Sequence, residues 1–431
     1  MKLLVCSSGP TANPTLGADR VGLDFADGLR ANGIACDFFP EPGNMICRRE
    51  YGNVLASHLQ ANAHRYDVVD YCFDSVRPWV RLTPDAAHVL KVARAVLLLY
   101  HHEDHISLPK PPMTLLRRAK RLLRRRKAQP QWTDMDVNMR EADVINVANS
   151  MDKECLVRLG WDARKIIVFP YGLTSTGADQ LETCLDRRSR TTPPRVAFVG
   201  TFDYRKGCLD FPHIVERVAA AIPEARFRLL GTKGLLQTRE RVLAQFPPRL
   251  RHHLEIYPTF HPADLPDLLV DCQVGMFPSY LEGFGIAVVE MLGAGLPVIA
   301  YDAPGPCDIL PREWLVNRGE REELADRLIR LLQSADVLRN QLRAWEISRR
   351  FDWSRIARDT LKSYQEACAR KKAQPRPAPV DIISSGHPQD APGASSTRWT
   401  QTGDSSLEIA EKTMTDLEKV PSAARTSRAR H

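Results

Sequence analysis

With 431 residues, 43% of them hydrophobic and 26% charged, the chain is long enough for two or three domains, each with its own core. It has no run of about 18 apolar residues, so no membrane-spanning helix is expected. Its ten scattered cysteines form no Cys-x-x-Cys pair, which argues against a disulfide framework or a zinc site and for reduced thiols in the cytoplasm.

Residues 3–7 are an apolar stretch predicted as the first strand, and the amino terminus MKLLVCSSGP turns polar too soon for a signal peptide. A loop holding Gly17 follows, then a helix predicted over 21–31, with Val21, Phe25 and Leu29 at helical spacing. Gly33 closes it, and residues 34–39 read as the second strand. This β-loop-α-β opening is Rossmann-like and puts Gly17 where a cleft would lie. Further strands are predicted over 67–73 and 95–100. The latter leads into His101, His102, Glu103, Asp104 and His105, at the strand end where open α/β sheets place ligand-binding groups. His101 and His105 are four apart, but a segment leaving a strand lacks the geometry of a metal site, so no metal is expected.

Residues 110–127 hold nine Lys or Arg and no acid, which more than accounts for the formal net charge of +8. Leu115, Leu116, Ala119, Leu122 and Leu123 fall on one side at helical spacing, so 113–127 suits a helix on an anionic membrane surface. A solvated basic face is the alternative. No aromatic platform accompanies the charge, and no nucleic-acid partner is expected. Asp134 and Asp136 form an Asp-x-Asp ahead of a predicted helix, where capping explains them. Residues 143–148 read as a strand, Asn149-Ser150 as a helix cap, 151–159 as a helix closed by Gly160, and 166–169 as a strand ending at Pro170-Tyr171-Gly172. The first domain is thus assigned to 1–172.

Residues 173–194, polar and without periodicity, read as the linker. A second alternation fills 195–350: strands over 195–200, 226–231, 254–257 and 274–277, helices over 209–221, 235–246 and 265–269, and a helical stretch over 321–350. Alternating strands and helices imply a parallel sheet in each half. Residues 351–372 form one last helix. From 373 onward Pro, Ser, Thr, Gly and Ala dominate, and this tail is expected to be disordered.

Two stretches carry the chemistry. The first, 277–310, runs from a strand through a loop with Glu282, Gly283, Phe284 and Gly285 into a short helix carrying Glu290. Free backbone N–H groups and the helix dipole make such a loop a receiver of phosphate. At ~1.5 Å per helical residue the two glutamate backbones lie up to about 12 Å apart, which suits gripping opposite ends of an elongated ligand. The second stretch ends the strand over 195–200: Gly200, then Arg205, Lys206 and Gly207, with two cations in reach of a diphosphate.

The spacing from Glu282 to Glu290 resembles the E-x7-E signature of the retaining glycosyltransferases of family 4 (group 1), which have the α/β GT-B fold of two Rossmann-like domains facing a cleft. FVGTFDYRKG resembles their donor-phosphate loop. EADVINVANSMDKECLVRLG with KIIVFPYG resembles the end of their first domain, and FDWSRIA the start of the crossover helix. The resemblance covers about the first 370 residues. It implies that Glu282 binds hydroxyls of the transferred sugar, that Glu290 binds the ribose, and that Arg205 and Lys206 neutralise the leaving diphosphate. Gly17, Gly200 and the amides around Gly283, Phe284, Gly285 and Ile286 would line the donor. His102 matches a histidine beside the reacting sugar. Leu16-Gly17-Ala18 replaces the usual Gly-Gly, and Pro170-Tyr171-Gly172 the usual Pro-Asn-Gly.

The implied function is a cytoplasmic, peripherally membrane-associated hexosyltransferase. It would take a nucleotide-sugar donor and a glycan or lipid-linked acceptor, with no cofactor. The alternatives are a GT-B-type nucleotide-sugar epimerase and an inactive glycan-binding member.

Overall fold

The structure is a computed structural model that describes residues 1–9, 17–73 apart from 42, 45, 48 and 49, 84–95, 138–187 and 193–373. His102 and its neighbours, the basic segment 110–127, Asp134, Asp136 and the tail from 374 lie outside these residues.

The first half holds strands β1 (Lys2–Cys6), β2 (Ala35–Phe39), β3 (Val68–Cys72), β4 (Leu90–Ala95), β5 (Val144–Val147) and β6 (Ile166–Val168). They form one parallel sheet in the order β2-β1-β3-β4-β5-β6. Its helices are α1 (Gly17–Ala31), α2 (Tyr51–Asn62) and α3 (Ser150–Arg158). Side chains alternate across a strand. In β1, Leu3 and Val5 therefore join α1 residues Phe25 and Leu29 on one face, while Leu4 and Cys6 meet α2 residues Leu55 and Leu59 on the other.

The second half begins with helix α4 (Ser175–Arg187). Strands β7 (Arg195–Val199), β8 (Arg226–Leu230), β9 (Leu254–Tyr257), β10 (Val274–Phe277), β11 (Val298–Tyr301) and β12 (Leu315–Val316) follow. Their order is β12-β11-β10-β7-β8-β9, again all parallel. Helices α5 (Phe211–Ala221), α6 (Arg239–Leu243), α7 (Leu265–Leu269), α8 (Ile286–Gly293), α9 (Pro306–Ile309), α10 (Arg321–Leu332) and α11 (Val337–Ser348) cover the sheet. The chain winds outward from β7 in both directions, so the topological switch lies between β7 and β10. In a doubly wound sheet that crevice, at the strand carboxyl ends, is where ligands bind.

Helix α12 (Trp353–Ala373) returns to the first half. Trp353, Ile356, Ala357 and Tyr364 bury themselves against Leu3, Phe25 and Val92. Tyr364 Oη donates to Asp70 Oδ2 at 2.9 Å and accepts from Asn146 Nδ2 at 2.5 Å, and Lys371 Nζ reaches Asp143 at 2.6 Å.

Several expectations change. Residues 173–194 are not a featureless linker: Leu181 and Cys184 of α4 are buried in the core of the second half. A strand is described over Leu90–Ala95, sharing Ala95 with the one expected over 95–100, whose residues 96–100 lie outside the described residues; the Arg94 guanidinium in it is buried against the Asp70 carboxylate and the Cys6 carbonyl. Gly17 is the first residue of α1 rather than part of the preceding loop. The helix expected over 235–246 is confined to α6, and that over 321–350 breaks into α10 and α11. Among the described residues, no helix is long and apolar enough to cross a membrane.

Candidate active site

The loops after β7 and β10 meet at the switch point. They interlock through the backbone before any side chain is counted. Tyr280 N–H donates to Arg205 O at 2.8 Å, and Ser279 Oγ lies 3.2 Å from the same carbonyl. Gly207, at φ 77°, lies so close that an added Cβ would stand 2.1 Å from Pro278 O. Asp203 shapes the first loop, accepting from Lys206 N–H at 3.0 Å and from Thr201 Oγ1 at 2.6 Å. Asp210 pins the second, accepting from Tyr280 Oη at 2.8 Å and Tyr301 Oη at 2.9 Å.

This scaffold brings Arg205, Lys206 and Glu282 together. Lys206 Nζ lies 2.7 Å from Glu282 Oε1, and Arg205 Nη1 lies 3.2 Å from the same oxygen. The Ser279 hydroxyl donates to it as well. Lys206 and Glu282 are both buried. Burial by itself would push the Glu282 carboxyl up; Lys206, Arg205 and Ser279 outweigh it and hold the group below the ordinary carboxylate value. Lys206 Nζ also sits 4.7 Å from the Phe277 ring centroid. A lysine has three donors and an arginine five, so the pairing with Glu282 leaves donor capacity for further anionic oxygens.

Glu290 has different company. It lies in α8, whose sequence IAVVEMLG is otherwise apolar and mostly buried. Arg20 Nη1, from α1 of the first half, reaches Glu290 Oε1 at 3.1 Å. Asp24, one turn along α1, holds Arg20 Nε at 3.4 Å. Burial raises the Glu290 carboxyl above its ordinary value, with Arg20 opposing. The two glutamates thus serve separate ends of the crevice, one facing the β7 loop and one facing the first half.

The remaining residues lie between them. Gly200 closes β7, donating to Leu230 O at 2.8 Å. Gly283 O accepts from Asn149 Nδ2 of the first half at 2.7 Å. The Phe284 ring packs 5.3 Å from that of Tyr171 and 5.6 Å from that of Phe351. Gly285 is the N-cap and Ile286 the first residue of α8, whose first turn offers N–H groups without intrahelical acceptors. Beside them, Asp308 accepts from Ser150 N at 2.6 Å and Ser150 Oγ at 2.5 Å, placing its carboxylate on the N-terminus of α3.

Sequence reasoning missed Arg20, Asp24, Asp203, Asp210, Ser279 and Asp308. One signal was available for Arg20: a cation in the first turn of a helix opposes the helix dipole and calls for an acidic partner. Among the described residues, no three His, Cys, Asp or Glu are grouped to hold a metal.

Residues 193–334 match the family model described as Glycosyl transferases group 1. The D-inositol 3-phosphate glycosyltransferase of Nocardia farcinica is 30% identical over 246 residues, covering 53% of each chain. The phosphatidylinositol N-acetylglucosaminyltransferase gpi3 subunit of Schizosaccharomyces pombe is 24% identical over 56% of this chain and 51% of its own. The chain therefore spans about half the length of these curated relatives. Among solved structures, sucrose-phosphate synthase from Thermosynechococcus elongatus aligns with a TM-score of 0.60 at 18% identity, over 86% of this chain and 99% of that one. Anabaena Alr3699/HepE, solved with UDP-glucose, aligns at 0.57 and 17%, over 85% and 100%. At these identities the structural likeness is one of fold. Residues 193–334 thus resemble the group 1 glycosyl transferases, and the two sheets together form the GT-B fold.

Proposed function

We propose that the protein transfers a hexose or N-acetylhexosamine from a nucleotide-sugar donor to a glycan or lipid-linked acceptor, with retention at the anomeric carbon. The observation that carries this reading is the convergence of Lys206, Arg205 and Glu282 at the switch point of the family-matched domain. The donor diphosphate would lie against Arg205, Lys206 and the first turn of α8. As the bond from the anomeric carbon to phosphate oxygen breaks, negative charge gathers on that oxygen. Cations and N–H groups already in place lower the barrier by meeting it there. Glu282 would accept hydrogen bonds from sugar hydroxyls and Glu290 from the ribose. The acceptor hydroxyl would attack from the face the phosphate leaves, giving its proton to the departing phosphate. His102 would contact the reacting sugar from the first half, and Gly17 would sit beside the diphosphate. No resident cofactor or metal enters this scheme.

A screen of UDP-, GDP- and ADP-sugars for thermal stabilisation and slow donor hydrolysis tests the proposal. Stabilisation by one nucleotide class, with release of its sugar, supports it. Silence across the panel contradicts it, and inversion at C2 of the sugar would assign an epimerase instead.

We also propose that 113–127 brings the enzyme to the anionic cytoplasmic face of a membrane, where a lipid-linked acceptor would lie. Flotation with phosphatidylserine liposomes should be lost when residues 115–127 are deleted; undiminished binding refutes this role.

A further inference from the structure

Glu290 is the only ionisable residue of α8. The cations of its own domain near the crevice, Arg205 and Lys206, are both committed to Glu282. The cation that reaches Glu290 comes from the other half of the molecule, 270 positions earlier in the chain. It is itself anchored: Arg20 and Asp24 are one helical turn apart on α1, so the guanidinium is held by a carboxylate on either side. The hydrogen bond from Arg20 falls on Glu290 Oε1, and among the described residues none reaches Oε2. A buried carboxylate fixed by one oxygen and open at the other is an oriented acceptor for a hydroxyl pair.

We infer that Arg20 is a positioning residue of the donor site, supplied by the first domain to hold Glu290 as an oriented carboxylate for the ribose hydroxyls. This rests on the donor-site reading above and adds a consequence to it. The ribose grip is complete only while the two halves are docked, because Arg20 and Glu290 sit on opposite sides of their junction. Donor affinity and docking of the domains are then one coupled equilibrium. Asn149 to Gly283 O and Ser150 to Asp308 span the same junction between the halves.

The test is equilibrium binding of UDP, GDP and ADP, each against its 2′-deoxy form, to the full chain. The wild type should prefer one ribonucleotide over its deoxy counterpart by about tenfold, the effect of one hydrogen bond to a charged group. In Arg20→Met that preference should collapse to within about twofold, chiefly by loss of ribonucleotide affinity, and Arg20→Lys should retain most of it. Unchanged preference in Arg20→Met overturns the inference while leaving the donor site standing. If the wild type binds none of the three, or binds ribo and deoxy forms alike, the ribose reading itself fails. Should Arg20→Met not fold, Asp24→Asn serves in its place: it frees the guanidinium, and a preference equal to wild type there also overturns the inference.

Discussion

Glu282 Oε1 receives three donors, from Lys206, Arg205 and Ser279, and is buried. Such a cluster persists only if the backbone beneath it holds the donors in register, because a misplaced buried charge is costly. Gly207 meets that demand. A side chain there would face both a left-handed backbone and overlap with Pro278 O. Gly207→Ala should therefore lower stability by more than about 2 kcal/mol in urea unfolding. Gly33→Ala, at φ 74° with nothing within 4 Å of the added Cβ, should cost only about 1 kcal/mol. Equal losses for the two would mean that the loops are not locked as described. At this scale the sequence was informative wherever a residue falls in a stretch with its own recognisable pattern. Glu282, Glu290, Arg205 and Lys206 fall in short stretches with a recognisable order. Arg20 does not, since its partner is 270 positions away and only the folded chain joins them.

Elements were readable where burial makes them uniform. A parallel strand buried on both faces is a continuous apolar run, which is why β1, β5 and β10 lie close to where the sequence puts them. Strand β4 breaks that rule. Lys91 and Arg94 interrupt it, so no continuous apolar run marks residues 90–95 in the sequence. What permits Arg94 is Asp70 on the neighbouring strand, and Asp70 is in turn bonded to Tyr364 of α12. Helix α4 was hidden for the opposite reason: only Leu181 and Cys184 are buried, too few to mark a period among polar neighbours. The Asp70, Tyr364 and Asn146 contacts fix α12 against the first sheet. Tyr364→Phe would leave two buried polar groups short of a partner, and urea unfolding should show a loss of about 1–3 kcal/mol. A change within about 0.5 kcal/mol would show that apolar packing alone seats the helix.

For the molecule as a whole, two parallel sheets followed from the alternation of strands and helices, and their pairing into a GT-B fold from the order of the motifs. The docking of the halves was not readable, because it joins residues far apart in the chain: Arg20 to Glu290, Asn149 to Gly283, Ser150 to Asp308, and the Tyr171 ring to that of Phe284. Those contacts cluster around one helix, α8, and its flanking loops. A donor bound there, as proposed, would touch both domains, so that substrate binding and domain docking would act on the same surface. In the proposed function Lys206 meets the charge that gathers on the breaking bond, and Glu282 holds the transferred sugar. The most direct test is the transfer rate of the wild type against Lys206→Ala and Glu282→Ala, with the donor selected by the nucleotide-sugar panel. Each substitution should lower kcat by about 100-fold or more, the scale of losing one preplaced electrostatic partner of a transition state. Folding should be retained by circular dichroism. Rates equal to wild type in either variant would contradict the assignment of this site.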